Sequence, residues 1–450
     1  MNYILQIPPL MWQQFCQAMQ QARTENQEVI GFFFCKHHHI NHQIRYAPQA
    51  WVVPTPDCYE CQSVDGLILK QQFHFYLLET YIKQGLDVVH IHTHPGQEMP
   101  VFSTIDNGYE SKYAQFLATR FSHKPHLISG IFDESFQQSQ FRIWDEIGTT
   151  VQPVEFYQTW LTQTSTKTLT EKTELMFARQ HFFGETFQKQ LGELTVTLIG
   201  CGGIGAIFAE LLGRLGVRKW ILIDPDTLET SNLNRMPGAT WEMVNQLLPK
   251  VEYVRQLIEV IYPIDAEIQT IPTSVENVSS LADCATSDLI VVATDNHYSR
   301  QIAQEIALQF MRPLICLGTH IEVKPNHSPR MYCRVTVPPL GGGWCLMCGN
   351  IINLQTAALE SAPQEIEQLA TQRGYLDKIP NPAVFWLNSI CASTAVGIIQ
   401  GIISGFFNID SGLDWIYEFP ESRWHKADTN YLMTPDCYFC GSDHNPSFIN

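Results

Sequence analysis

Residues 194–226 read LTVTLIGCGGIGAIFAELLGRLGVRKWILIDPD. Leu194 to Ile199 is an apolar run of strand length. It breaks into the glycine-rich turn Gly200-Cys201-Gly202-Gly203-Ile204-Gly205. From Ala206 to Leu215 apolar residues recur at helical spacing, and Trp220 to Ile223 forms a second strand that ends in Asp224. Strand, glycine turn, helix and strand make a βαβ unit, which predicts an α/β fold with a parallel, doubly wound, Rossmann-like sheet. Gly200, Gly202, Gly203 and Gly205 let the backbone approach phosphate, and the helix that follows presents unpaired N–H groups to an anion. Taken alone, the turn would equally suit a dinucleotide-binding oxidoreductase.

The residues downstream point elsewhere. Asp224-Pro225-Asp226 is followed by Ser231-Asn232-Leu233-Asn234-Arg235, then by Lys250. A further strand, Leu289 to Ala293, leads into Thr294-Asp295-Asn296. An acid at the end of the second strand can bind ribose hydroxyls. Asn232, Arg235 and Lys250 gather phosphate-binding groups that hydride transfer does not need, and Asp295 is a carboxylate able to hold magnesium. This set resembles the ubiquitin-activating superfamily in its compact ThiF/MoeB/HesA form, from about Glu174 to the C-terminus. The resemblance implies adenylation: a protein's C-terminal carboxylate attacks the α-phosphate of ATP and pyrophosphate leaves. It assigns the ribose to Asp224, the phosphates to Asn232, Arg235 and Lys250, and Mg²⁺ to Asp295. Arg179, in Phe177-Ala178-Arg179-Gln180, matches the arginine that such proteins lend across a dimer interface, which implies a homodimer.

Two CxxC pairs, Cys345/Cys348 and Cys437/Cys440, lie far apart in sequence. Four thiolates close a tetrahedral structural zinc site, and the compact activating enzymes carry one; a redox role is the alternative. Many relatives bear an acyl-accepting cysteine after the first pair, but Gly349 to Asn381 contains none. Cys391, on an apolar segment, reads as core packing, as do Cys316 and Cys333. Ser361 and Thr371 are hydroxyl candidates for the same role.

The N-terminal part carries a second chemistry. In His90-Ile91-His92-Thr93-His94-Pro95, His92 and His94 are two apart at the end of an apolar strand and share a face. Asp106 follows beyond a loop containing Pro95, Gly96 and Pro100. Two imidazoles and a carboxylate form a three-ligand zinc set with room for water. Glu28 is the candidate proton shuttle and Ser103 the candidate oxyanion donor. Glu28…His92-x-His94-Pro95…Ser103-x-x-Asp106 resembles the JAMM (JAB/MPN-type) metallopeptidase signature, with the His94–Ser103 interval one residue longer than usual. That resemblance implies a mixed-sheet zinc isopeptidase domain that cleaves after the C-terminus of ubiquitin-like proteins. His37, His38, His39 and His42 read as a solvated hairpin tip, His90 as packed, and Cys58 and Cys61 as loop or core thiols.

A length of 450 residues implies more than one core. The expected organisation is a JAMM-type domain over 1–150, a linker over 151–173, whose Thr-, Ser- and Gln-rich stretch runs from Gln158 to Thr173, and an adenylating domain over 174–450. The net charge of -17 argues against a nucleic-acid partner. The apolar run Ala395 to Phe407 is too short to span a bilayer, so no membrane is expected. The N-terminus lacks a signal-peptide pattern, and the 13 cysteines suit a reducing cytoplasm.

Both halves resemble families that handle one kind of C-terminal tail. The expectation is a bacterial ubiquitin-like conjugation enzyme using ATP, magnesium, one catalytic and one structural zinc, with a ubiquitin-like protein and a conjugating-enzyme-like protein as partners. Activation of a sulfur-carrier protein is the alternative, and a scaffold with one inactive half is a third.

Overall fold

The computed structural model describes residues 2–23, 27–40, 43–63, 66–97, 99–133, 135–158, 175–277, 283–324, 328–341, 343–363, 366, 368, 371, 382–432 and 437–440. The chain divides into two compact units, Met1–Thr159 and Trp160–Asn450.

The strands of the first unit are β1 (Asn2–Gln6), β2 (Ile30–Ile40), β3 (Gln43–Val52), β4 (Tyr59–Gln62), β5 (Leu67–Leu69), β6 (Asp87–Thr93), β7 (Leu127–Phe132), β8 (Ser139–Trp144) and β9 (Val151–Tyr157). They close into a barrel in the order β1-β3-β2-β6-β7-β8-β9, with β4 and β5 as a separate hairpin. Closure comes from β1, which pairs in parallel with both β3 and β9. One face of the sheet buries Leu5, Phe33, Val89, Ile91 and Ile128 against Trp12, Phe15 and Met19 of the helix Pro9–Ala22. The other face buries Phe32, Phe34 and Val88 against Leu77 and Leu117 of the helices Gln71–Thr80 and Thr104–Arg120.

Two expectations change here. Val151–Tyr157, placed in the linker, is a barrel strand; residues 159–173 lie outside the described residues. The helix Gln71–Thr80 begins only after the β4–β5 hairpin. His37, His38 and His39 belong to β2, not to a turn, because pairing with β3 continues through His39 and Ile40; His42 is outside the described residues.

The second unit contains β10 (Thr195–Ile199), β11 (Lys219–Ile223), β12 (Glu267–Ile271), β13 (Leu289–Val292), β14 (Leu314–Glu322), β15 (Arg330–Val337), β16 (Leu413–Phe419) and β17 (Arg423–Lys426). Their order is β12-β11-β10-β13-β14-β15-β16-β17. The first five in that order are parallel, as expected. The last three are antiparallel, so the sheet is mixed. It is doubly wound: Val196, Leu198, Trp220 and Leu222 pack with the helices Gly203–Leu215, Lys250–Ile261 and Phe385–Ile403. Ile199, Ile221 and Ile223 face the other way, toward Ala303 and Ile306 of the helix His297–Gln309. The Phe385–Ile403 helix is long and apolar enough to cross a membrane. In this fold Leu387, Cys391, Ala392, Ala395, Ile398 and Ile399 bury one side of it in the core.

Candidate nucleotide and metal sites

Chain direction across the sheet makes a crevice. From β10 the chain steps to β11 and β12 on one side, then returns to β13 on the other. Open α/β sheets bind ligands at the carboxyl ends of strands where the order reverses in this way. The Gly200 turn, Asp224 and Asp295 follow β10, β11 and β13 respectively, so all three stand at that end.

Gly200 has φ +94° and donates its N–H to Ile223 O (2.9 Å). A Cβ there would lie 2.9 Å from the Ala293 carbonyl carbon and 3.0 Å from the Thr294 methyl, so the turn packs against the loop that carries Asp295. Gly202 caps the helix Gly203–Leu215. Gly205 must lack a side chain because one would collide with the Gly200 carbonyl. A Cβ on Gly203 would meet the Asn388 amide nitrogen at 2.7 Å and the Arg235 side-chain carbons at 3.2 Å, so Arg235 lies over the helix start. Asp224 is buried, and its oxygens accept the backbone N–H of Cys201 (2.7 Å) and Asp226 (2.9 Å). Burial raises its carboxyl above the ordinary value, against the opposing pull of Lys250. Lys250 starts the helix Lys250–Ile261 and pairs with Asp226 at 2.6 Å.

Asn232 is buried, and its side-chain oxygen accepts the Glu229 N–H (3.0 Å), capping its own turn. Asp295 is exposed in the loop before the helix His297–Gln309. Arg179 is exposed in the short 3-10 helix Ala178–Phe183, and no hydrogen bond or ion pair among the described residues ties it to the glycine turn. Asn388 was missed by sequence reasoning: its oxygen accepts the Thr319 hydroxyl (3.2 Å) while its nitrogen faces Gly203. The available signal was an isolated amide within an apolar helix, which is costly unless bonded.

The four distant cysteines converge. Sγ separations are 3.7 Å for Cys345–Cys348 and Cys345–Cys437 and 3.6 Å for Cys348–Cys440. A tetrahedron of sulfurs about 2.3 Å from zinc has edges of about 3.8 Å, whereas a disulfide needs about 2.05 Å. The residues therefore fit a structural zinc. Cys391 is fully buried, its thiol directed at the Arg334 and Gly318 carbonyls (3.5 and 3.7 Å). Its neighbour Cys333 and burial push it well above the ordinary thiol value, as expected of core packing. Ser361 is exposed, with its hydroxyl on Ala358 O (3.1 Å); most of 364–381 lies outside the described residues.

In the barrel, His92 and His94 bring their Nε2 atoms to 3.0 Å from one another. Asp106 approaches them at 3.3 and 3.5 Å. Ligands about 2.05 Å from a tetrahedral zinc stand about 3.3 Å apart, so this set also fits the ion. Burial works against the Asp106 charge, but hydrogen bonds with both imidazoles hold its carboxyl well below the usual range. Burial lowers His92, whereas the bond to Asp106 raises His94. Ser103 caps the helix Thr104–Arg120 and shares a capping box with Asp106, Asp106 N–H to Ser103 Oγ at 3.1 Å and Ser103 N–H to Asp106 Oδ2 at 2.6 Å. The longer loop thus still seats Ser103 beside Asp106, and its hydroxyl keeps its own proton to donate.

The β2–β6 register sets Ile30 opposite His92, and Thr93 N–H to Val29 O (3.0 Å) continues it, which brings Glu28 toward His94. The Glu28 charge is felt at His94, and residues 62–63 hold the Glu28 backbone at 2.8–2.9 Å. His90 packs, with Nε2 on Ser129 Oγ (2.8 Å). Cys58 and Cys61 join no metal-binding group among the described residues.

The ThiF family profile matches residues 177–431. A ThiS sulfur-carrier adenylyltransferase from Bacillus subtilis is 31% identical over 185 residues, covering 39% of this chain and 54% of the relative. Ubiquitin-like modifier-activating enzyme 5 of Bombyx mori is 32% identical over 123 residues, covering 25% and 30%. The chain thus spans about half or less of these relatives' lengths. A crystal structure of E. coli MccB with MccA-N7isoASN superposes with TM-score 0.48 at 18% identity, covering 60% of this chain and 75% of that one.

Proposed function

The chain belongs to the ThiF family, and on that premise we propose that its second unit adenylates the C-terminal carboxylate of a ubiquitin-like or sulfur-carrier protein. The observation that carries the proposal is the meeting of the Gly200 turn, Asp224, Arg235 and the Asp295 loop at the switch point of the sheet. An acceptor carboxylate oxygen forms a bond to the α-phosphorus while the bond to the bridging oxygen breaks, releasing pyrophosphate. The helix start at Gly203 and the Arg235 guanidinium stabilise the charge that develops there. Lys250 exchanges its exposed partner Asp226 for phosphate; a surface ion pair resists this weakly. Magnesium held at Asp295 would add neutralising charge. Arg179, exposed, is free to reach a second copy, which supports a homodimer. With Cys391 buried, the acyl group passes from the adenylate to another protein, a conjugating-enzyme-like partner, in the cytoplasm.

The first unit is read as a JAMM-type zinc peptidase acting on the same tail. Zinc held by His92, His94 and Asp106 would supply Lewis acidity and acidify a water. Glu28 takes the proton and delivers it to the leaving amine, and Ser103 donates to the carbonyl oxygen as it gains charge. The relative named for the sulfur carrier ThiS supports a second reading of the substrate, in which the adenylate becomes a thiocarboxylate.

The test is acceptor-dependent ATP–pyrophosphate exchange by wild type and Asp295→Ala. Exchange lost in the variant supports the assignment; equal exchange refutes this nucleotide site.

A further inference from the structure

Asp295 follows β13 at the switch point of the sheet, exposed, and its carboxylate makes no hydrogen bond or ion pair among the described residues. Its direction is therefore set by the backbone on either side of it. An exposed carboxylate without a partner fits a hard cation such as magnesium, which takes oxygen ligands in near-octahedral geometry. For such an ion the direction of the carboxylate matters.

Both residues that flank Asp295 are held by the first turn of the helix His297–Gln309. On the far side, Asn296 caps that helix, its Oδ1 accepting the Ser299 N–H at 2.7 Å. On the near side, the Ser299 hydroxyl meets the Thr294 hydroxyl at 2.6 Å. Arg300 reaches back over the helix start, and its Nε (3.1 Å) and Nη2 (2.9 Å) both donate to the Thr294 carbonyl oxygen. That carbonyl belongs to the planar peptide group joining Thr294 to Asp295, so the guanidinium fixes the plane from which the carboxylate projects. The Thr294 methyl in turn lies against the Gly200 turn.

Arg300 is half-buried, and its hydrogen bonds among the described residues all go to this one carbonyl; no carboxylate pairs with it there. A charged donor on a carbonyl holds it more firmly than a neutral one. Gly318 of β14 leaves the space for it, since a Cβ there would stand 3.3 Å from Nη2.

We infer that Arg300 is a positioning residue of the nucleotide site: through the Thr294 carbonyl it sets the Asp295 carboxylate for magnesium, itself touching neither metal nor nucleotide. The inference rests on the adenylation reading of the second unit and extends it to a residue outside the sequence motif. Because Arg300 acts only through Asp295, its loss weakens the magnesium-dependent part of ATP binding. The part made by the Gly200 turn, Arg235 and Lys250 is spared.

The experiment titrates ATP into the full-length protein by calorimetry, once with excess magnesium and once with EDTA, and takes the ratio of the two affinities as the magnesium gain. The gain in Arg300→Met should be smaller than in wild type by about tenfold, the worth of one charge-assisted hydrogen bond, with the EDTA affinity unchanged. Equal losses with and without magnesium would make Arg300 a direct phosphate ligand, and an undiminished gain in folded protein would make it mere packing; either overturns the inference. Should Arg300→Met fold poorly, Gly318→Ala tests the same contact with every donor retained, because its methyl crowds the guanidinium away from Thr294. A gain reduced about threefold is then expected, and an unchanged gain overturns the inference. Asp295→Ala separates the two levels. If it too keeps the full gain, the magnesium assignment beneath the inference falls; a gain lost in Asp295→Ala and kept in Arg300→Met overturns the role of Arg300 alone.

Discussion

Glu110 sits on the helix Thr104–Arg120, one turn beyond Asp106, and is 3% exposed. Arg142 Nε (3.0 Å) and Trp144 Nε1 (2.8 Å) donate to its Oε2, and His90 Nε2 stands 3.5 Å from Oε1. Burial raises its carboxyl, but His90, Arg142 and Trp144 more than offset this and bring it from 4.5 down to about 2. A depression of that size corresponds to about 3 kcal/mol of folding stability at neutral pH. Because the folded value is lowered, this stability is fully present above pH 4.5 and is lost as pH falls toward 2. Removing the charge by Glu110→Gln also strands the buried Arg142, for which a loss of about 3–5 kcal/mol is usual. The assay is hydrogen exchange by mass spectrometry on the full chain. Peptides from residues 104–120 should exchange on the order of 100-fold faster at pH 7, while those from 203–215 stay unchanged. Wild type and variant should converge in stability near pH 2. Exchange in 104–120 within threefold of wild type would refute the claim that this network fixes the helix carrying Ser103 and Asp106.

Gly200→Ala forces an alanine to φ +94° and a methyl to 2.9 Å from a backbone carbon. ATP affinity should fall at least 100-fold by calorimetry, and wild-type affinity would show that the turn does not cradle the nucleotide. Glu28→Gln should abolish cleavage of a ubiquitin-like fusion while zinc content and pyrophosphate exchange persist; residual cleavage above a hundredth of wild type removes Glu28 as the proton carrier. Cys437→Ser should lose one zinc and destabilise the second unit by several kcal/mol, since a structural zinc supplies folding energy. Unchanged zinc content and melting temperature would contradict the four-cysteine site.

What was legible in the sequence was what is local. The βαβ unit declares itself because strand, turn and helix are consecutive between residues 194 and 226, and Gly205 is required by the Gly200 carbonyl five residues before it, whereas the neighbours of Gly200 (Ala293) and Gly203 (Asn388) come from distant parts of the chain. The His92, His94 and Asp106 group was legible because a strand's period of two fixes the histidines on one face. Barrel closure was not, since β1 joins β3 and β9 from opposite ends of the unit. Val151–Tyr157 read as linker because Pro153 interrupts it and Val154 alone is fully buried in it. His37 to His39 read as a solvated tip because polar residues dominate, yet β3 pairing keeps them in the sheet and Asp87 repays the burial of His37. Asn232 was chosen for its type beside Arg235, but its side chain is engaged in capping a turn, a use that residue type alone does not reveal.

The central claim is that the second unit makes an acyl-adenylate on a ubiquitin-fold tail. It is tested most directly by mixing the full-length protein with Mg-ATP and a ubiquitin-fold protein ending in a free Gly-Gly, then measuring pyrophosphate and the intact mass of the acceptor. The account expects stoichiometric pyrophosphate and an acceptor heavier by one AMP. ATP turnover without a modified acceptor, or no pyrophosphate with any ubiquitin-fold or sulfur-carrier tail, would contradict it.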